Sequence, residues 1–213
     1  EINKADAVKL INALPQKTAK QYDSALYQFN SVSMGIQVKE RNAYYDSGLD
    51  HFYLTEANDF SAVGYDKSSI IGHFPKNNQE IAISSYLADL IIEHGINDQQ
   101  GKLIKPKNET ELLEKVQLPI LDQWLNVSAI VKEKDYSKYK FLHTIPEGQM
   151  KEEEYNQFRK FYSLVRQNSN YLYVKDGFVQ SVQPEKSNYL NRETYQLMYQ
   201  EESLKNGNIT YGD

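Results

Sequence analysis

Cysteine is absent from the 213 residues. That absence excludes a disulfide scaffold, a thiolate metal site and a cysteine nucleophile, and it leaves the redox compartment open. A basic excess is absent too: 24 Lys and Arg stand against 29 Asp and Glu, a formal net charge of -5. Phosphate binding draws its affinity from clustered cations, so nucleic acid is not expected as a partner. No apolar run approaches the roughly 18 residues that spanning a bilayer needs, and no secretory leader is recognisable. The 10 glycines are scattered singly, with neither Gly-x-Gly-x-x-Gly nor Gly-Lys-Ser/Thr among them, which argues against a Rossmann dehydrogenase and an NTPase. Tyrosine, by contrast, is abundant, at 17 residues against one Trp. Together with many Asn and Lys this reads as bacterial codon bias first and as a binding surface second. The start at Glu1, without an initiator Met, leads us to expect a fragment or a processed chain.

Along the chain, Asn3 to Leu14 reads as a helix, with Asn3 as cap and Ala5, Val8, Ile11 and Leu14 on one face. From Ser24 to Thr55 the pattern becomes short β-like pieces, Ala25 to Phe29, Gly35 to Val38 and His51 to Leu54, parted by turns around Asn42 and Asp46 to Gly48. The best-organised stretch is Ser69 to Gly95. Gly72 to Asn78 has loop chemistry, Glu80 to Ile83 alternates as a strand, Ser84 or Ser85 can cap a helix, Leu87, Leu90 and Ile91 share its apolar face, and Gly95 stops it. Gln99 to Glu109 is irregular, Glu111 to Val116 reads as a helical turn or a strand, and Pro119 breaks what precedes it. Trp124 to Val131 alternates as a strand with Leu125, Val127, Ala129 and Val131 on one face, and Lys132 to Lys140 is expected to cap the sheet edge. Glu152 to Gln167 is a helix with Tyr155, Phe158, Tyr162 and Val165 at helical spacing and acids in its first turn. Tyr171 to Val182 reads as a hairpin turning at Asp176-Gly177, and Asn191 to Ser203 as a last helix. The class this implies is α+β, a mixed or antiparallel sheet with packed helices.

Little here points to chemistry. His51, His73, His94 and His143 show no i, i+4 pairing, so a zinc site is not expected. Ser84-Ser85 lies at a strand-to-helix junction but lacks the glycines of a nucleophile elbow, and capping is the better reading. Glu152-Glu153-Glu154 and Glu201-Glu202 read as solvated helix faces, because consecutive helical residues do not converge on one ion. We therefore assign no catalytic, cofactor or metal residues. Tyrosines are the better lead: Tyr44, Tyr45, Tyr136, Tyr139, Tyr171 and Tyr173 suit an interface or an extended ligand, with Tyr136, Tyr139, Tyr171 and Tyr173 as the candidate contact surface.

The stretch Gly72-His-Phe-Pro-Lys-Asn-Asn-Gln-Glu-Ile-Ala-Ile-Ser-Ser-Tyr-Leu-Ala88 resembles the "G-x-x-P, short polar loop, E-I-x-I-S, then a helix" segment in the extracytoplasmic domain of MacB/FtsX-type ABC transporter permeases. It looks most like the large Gram-positive proteins that join ATPase and permease in one chain. Leu125-Asn-Val-Ser-Ala-Ile-Val-Lys-Glu133, followed by Tyr136 to Leu142, is similar to the family's next landmark, with Ala129 where glycine is usual. The resemblance covers about Phe60 to Leu142.

The resemblance implies an outer domain inserted between two membrane helices, on the extracellular side of the cell membrane. Catalysis is not expected of it, since ATP hydrolysis would lie in another domain of the parent protein. Its partners would be the parent's transmembrane helices and ATPase domain, a peptide, lipid or lipoprotein substrate, and a second permease copy or partner subunit. A single domain over 1–213 is expected, with a sheet–helix core lobe over about 1–142, a second lobe over about 143–190 and a return segment. Glu1 and Asp213 would then emerge on one side, within roughly two helix diameters of about 10 Å each. The alternative is a free-standing secreted or surface-anchored binding module, with a small hydrolase third.

Overall fold

The computed structural model describes residues 20–21, 28–29, 31–36, 38, 42–45, 52–132, 136–146, 148–183 and 194–195. The expected helix from Asn3 to Leu14 and the placement of the two termini lie outside the described residues. The described strands are β1 (Lys20–Gln21), β2 (Gln28–Phe29), β3 (Phe52–Ala57), β4 (Ile70–Gly72), β5 (Glu80–Ser84), β6 (Ile96–Asn97), β7 (Leu103–Ile104), β8 (Gln117–Ile120), β9 (Gln123–Val131), β10 (Tyr171–Lys175) and β11 (Thr194–Tyr195). The described α-helices are α1 (Ser85–His94), α2 (Glu109–Lys115), α3 (Glu152–Asn168) and α4 (Phe178–Val182). The class is α+β, with helices on a mixed sheet.

Nine strands form the main sheet, in the order β11-β1-β3-β10-β5-β9-β4, with β2 added to β3 and β8 to β9. β10 runs parallel to β3 and antiparallel to β5, and β5 runs parallel to β9. β10 comes from the stretch expected to form a second lobe, and it is instead a central strand of this sheet. The first face of the sheet, with Phe52, Leu54, Ile81, Ile83, Leu172 and Val174, packs under the helices as the main core.

The strand–helix unit β5–α1 follows from its local sequence. Ser84 is extended at φ -69°, ψ 155°, and its hydroxyl accepts from the Leu87 amide at 3.0 Å, satisfying one orphan donor of the first turn. Tyr86, Leu87, Leu90 and Ile91 are then buried, each contributing about 1.5–3 kcal/mol of transfer free energy. Gly95 ends the helix at φ 81°, its amide donating to Ile91 O at 2.8 Å.

Several expectations need correction. β9 does not keep Leu125, Val127, Ala129 and Val131 on one face. The pairing with β5 shifts register between Ile81 and Ala82, so Ser128 is an extra residue, and a bulge inverts the alternation. Leu125, Val127 and Ile130 therefore face the main core, while Ala129 and Val131 face the opposite side. Pro119 does not end a strand but lies within edge strand β8, opposite Trp124, where its missing N–H costs no central ladder bond. On α3 the buried seam runs through Phe161 and Val165, not Tyr162, which is exposed together with Tyr155. Phe161 is selected because Tyr44, Tyr136 and Tyr139 all lie against its ring.

Asp176-Gly177 turns into α4 and not into a second strand, because Phe178 and Val179 are drawn into the core and the buried Glu56 carboxylate accepts from the Val179 amide at 2.6 Å. The two-residue hairpin is elsewhere, at Leu121-Asp122 between β8 and β9, where both residues have positive φ, 49° and 63°. Residues 31–35 form a turn where Gly35 to Val38 was expected to begin a strand. Thr194–Tyr195 pairs with β1 inside the expected last helix, the rest of which lies outside the described residues. The charged segment around Tyr136 does not cap a sheet edge: residues Ser137–Thr144 form a 3-10 helix packed on α3 through Tyr139. Among the described residues no helix is long and apolar enough to cross a membrane.

Candidate functional site

Where β5 and β9 pair, the second face of the sheet has alanines in place of the large residues of the first. Ala82 of β5 and Ala129 of β9 point this way, and the segment from Asp59 to Phe74 folds over them, with Phe60 buried in the same cluster. Two aspartates shape that segment. Asp59 caps a 3-10 turn at Phe60–Val63 by accepting from the Ala62 amide at 3.0 Å, and Asp66 caps a second at Lys67–Ser69, accepting from Ser68 and Ser69 at 2.9 and 3.2 Å. Hydrogen bonds from the Ser68 hydroxyl and amide hold the Asp66 carboxyl below its ordinary pKa, so it is a carboxylate at neutral pH.

β4 then returns the chain along β9. Gly72 has φ 93°, and a Cβ there would lie 2.3 Å from Ser128 O, so the bulge carbonyl admits only glycine. The His73 amide donates to the same carbonyl at 2.9 Å. Past it, the Glu80 carboxylate accepts from the Lys76 amide at 2.7 Å and closes the Pro75-containing loop.

Between the two 3-10 turns and β4 lies a cleft of about 600 Å³, within the range typical of small-molecule sites. Its floor is apolar: Phe60 and Phe74 meet edge to face at 4.8 Å, with Ile70 and Tyr65 beside them. Its rim is polar, with Asp59, Asp66, Lys67 and His73 among the lining residues. The Tyr65 hydroxyl accepts from Tyr173 OH at 3.3 Å, which ties the cleft wall to the centre of the sheet.

The four candidate tyrosines are not one surface. Tyr171 and Tyr173 lie on the second face with ring centroids 6.3 Å apart, next to the cleft through Tyr65. Tyr136 and Tyr139 are on the helical side, packed on Phe161 at 5.4 and 4.9 Å. Tyr136, Tyr139 and Tyr173 are only 6%, 2% and 2% exposed, so these rings are core contacts, and Tyr171 alone is half-buried. Alternation along a strand buried on both faces explains Tyr173, and the aromatic cage around Phe161 explains the other two. Gly72, His73 and Phe74 belong to the stretch that carries the family resemblance, whereas nothing in the sequence marks Asp59, Phe60, Tyr65, Asp66 or Ile70 as lining a cleft. Their only sequence signal is the pair of capping patterns Asp59-Phe-Ser61 and Asp66-Lys-Ser68.

A second titratable cluster lies on the helical side. Asn42 accepts from the amides of Tyr44 and Tyr45, both at 3.1 Å, and the Tyr86 hydroxyl donates to both tyrosine carbonyls at 3.1 and 3.0 Å. His143 stacks on Tyr44 at 4.0 Å, and His94 meets Tyr45 edge-on at 4.9 Å with a buried, unpartnered Nε2. Burial pushes the Tyr44, Tyr45 and Asp89 pKa values up and those of both histidines down. Every shift favours the neutral form, as expected of groups used for packing. Among the described residues no three His, Asp or Glu converge on a metal position. The chain matches no family model, no curated protein and no solved structure.

Proposed function

We propose that this chain is the outer domain of an ABC transporter permease of the MacB/FtsX type. It contacts a substrate or partner on the extracellular side of the cell membrane and relays ATP-driven movement from the parent's other domains. The observation that carries this reading is the stretch Gly72 to Ala88, whose resemblance to the family coincides with the structural centre of the domain: β5 pairs with β10 and β9, and α1 buries one whole face on the sheet beneath. A strand and helix joined in this way move as one body, which a relay requires. The cleft on the second face supplies a contact position.

The test uses core substitutions in the intact transporter. Ile83 and Leu90 are fully buried, and Ile83→Ala or Leu90→Ala is expected to cost about 2–5 kcal/mol. Measured at a temperature where the variants stay folded, ATP hydrolysis should survive while the outward phenotype, substrate release or peptide resistance, falls. If hydrolysis and outward phenotype fall together, or neither falls, the relay is wrong. The cleft favours one other reading, a free-standing surface binding module. In that case the chain would act without any ATPase partner, and purification under native conditions would recover none.

A further inference from the structure

The cleft between Asp59 and Phe74 has a definite chemical bias. Its floor offers the apolar rings of Phe60 and Phe74, which suit the hydrocarbon body of a ligand. Its rim carries two carboxylates, Asp59 and Asp66, while Lys67 is the one Lys or Arg among the described lining residues. The Ser68 and Ser69 donors fix the Asp66 carboxyl in place and hold it below its ordinary pKa. An anionic ligand would meet two like charges, and a wholly apolar one would leave them without a counter-charge. The volume, about 600 Å³, suits a ligand of drug size and not a single inorganic ion.

We propose that this cleft binds a small amphiphilic cation, a protonated or quaternary amine whose apolar body lies on Phe60, Ile70 and Phe74 while its charge faces Asp59 and Asp66. The inference rests on the contact half of the permease reading and adds a ligand class to it. Charge selectivity comes from the capping aspartates, so the residues that shape the segment also select the ligand. Lys67 limits affinity by repelling the same charge.

The experiment titrates the whole 213-residue chain with three probes of equal tail length, octyltrimethylammonium, octanol and octanoate, read by calorimetry and by amide chemical shifts. The ammonium should bind roughly tenfold more tightly than octanoate, with octanol between. Asn caps a helical turn as well as Asp does, so Asp59→Asn with Asp66→Asn keeps the fold and removes the charge. That pair should weaken the ammonium roughly tenfold and leave octanol unchanged. Lys67→Gln should tighten the ammonium several-fold, and Phe74→Ala should weaken ammonium and octanol alike. Octanoate binding as tightly as the ammonium, an unchanged ammonium affinity in the double Asn variant, or shifts that map away from residues 59–74 would each overturn the proposal. A failed titration beside a successful core-substitution test discards the cation site and leaves the relay. A successful titration beside a failed core-substitution test keeps the site and points to the free-standing module.

Discussion

Replacing Gly72 by Ala should destabilise the domain far more than the same change at Gly64, although both glycines have left-handed backbones. Their φ values are 93° and 84°, and an L-residue in such a conformation costs about 1–2 kcal/mol. At Gly64 nothing lies within 4 Å of the added carbon, so that conformational cost is the whole effect. At Gly72 the carbon would sit 2.3 Å from Ser128 O and 3.1 Å from Ala129 Cα, both backbone atoms of a central strand. Relief requires β4 to move off β9, which loosens the Gly72–Ala129 pairing and the His73 amide's bond to Ser128 O. Those losses add about 0.5–1.5 kcal/mol for each hydrogen bond. The expected totals are about 1–2 kcal/mol for Gly64→Ala and about 2–5 kcal/mol for Gly72→Ala. Urea unfolding at pH 7.5, followed by far-UV circular dichroism, measures both. With a slope of about 2–3 kcal/mol per molar, the Gly72→Ala midpoint should fall by about 1 M or more and that of Gly64→Ala by about half as much. Equal shifts in the two variants would show that β4 yields without cost, and the close packing of the cleft wall on the bulge would have to be abandoned.

Two further outcomes are expected. Tyr86→Phe removes the hydroxyl that donates to Tyr44 O and Tyr45 O and should cost about 1–3 kcal/mol in the same unfolding assay, since two buried acceptors lose their partner. Stability should also fall as the pH drops through the ordinary histidine range near 6.5. Burial depresses the folded-state pKa values of His94 and His143, with Lys105 acting in the same direction at His94, Lys140 and His94 at His143, and Glu93 opposing at both, so the unfolded chain binds more protons there. Asp89, whose pKa burial raises, works in the opposite sense. Urea midpoints measured from pH 8 to pH 5.5 test the sign, and a midpoint that rises on acidification over that span would refute it. His143→Phe keeps a ring on Tyr44 and should flatten the slope.

The parts of the fold that were legible in the sequence are those decided locally. The strand at Glu80, the Ser84 cap, the face of Leu87, Leu90 and Ile91 and the stop at Gly95 depend on neighbours a turn away, and each stands as read. The misreadings arise where a distant partner decides. The alternation of β9 was legible until Ser128, because a bulge is set by the pairing strand and leaves no mark on composition. Helix α3 carries two aromatic stripes, and only the ring cage formed by Tyr44, Tyr136 and Tyr139 picks the one with Phe161. Asp176-Gly177 has ideal hairpin chemistry, yet Glu56 and the core claim the residues after it, while Leu121-Asp122 makes the tight turn without any glycine. The cleft was illegible for the same reason: its floor is apolar and its rim is a pair of capping residues, both ordinary until they are folded over Ala82 and Ala129.

The central position of β10 bears on how the chain is made. It reaches the sheet from late in the sequence and pairs β3 on one side and β5 on the other, Tyr171 with Tyr53 and Leu172 with Ile83. During synthesis from the N-terminus, β5 can acquire β9, β4 and β8 early, since all four lie between residues 70 and 131. The inner edges of β3 and β5 must wait, each with a row of unpaired backbone groups that invites pairing with another chain. Closure of the centre of the sheet is therefore set by the emergence of residues 171–175 and not by the formation of the strand–helix unit. A chain truncated before Tyr171 would retain two open strand edges in one molecule, and its expected fate is aggregation, not a smaller folded domain.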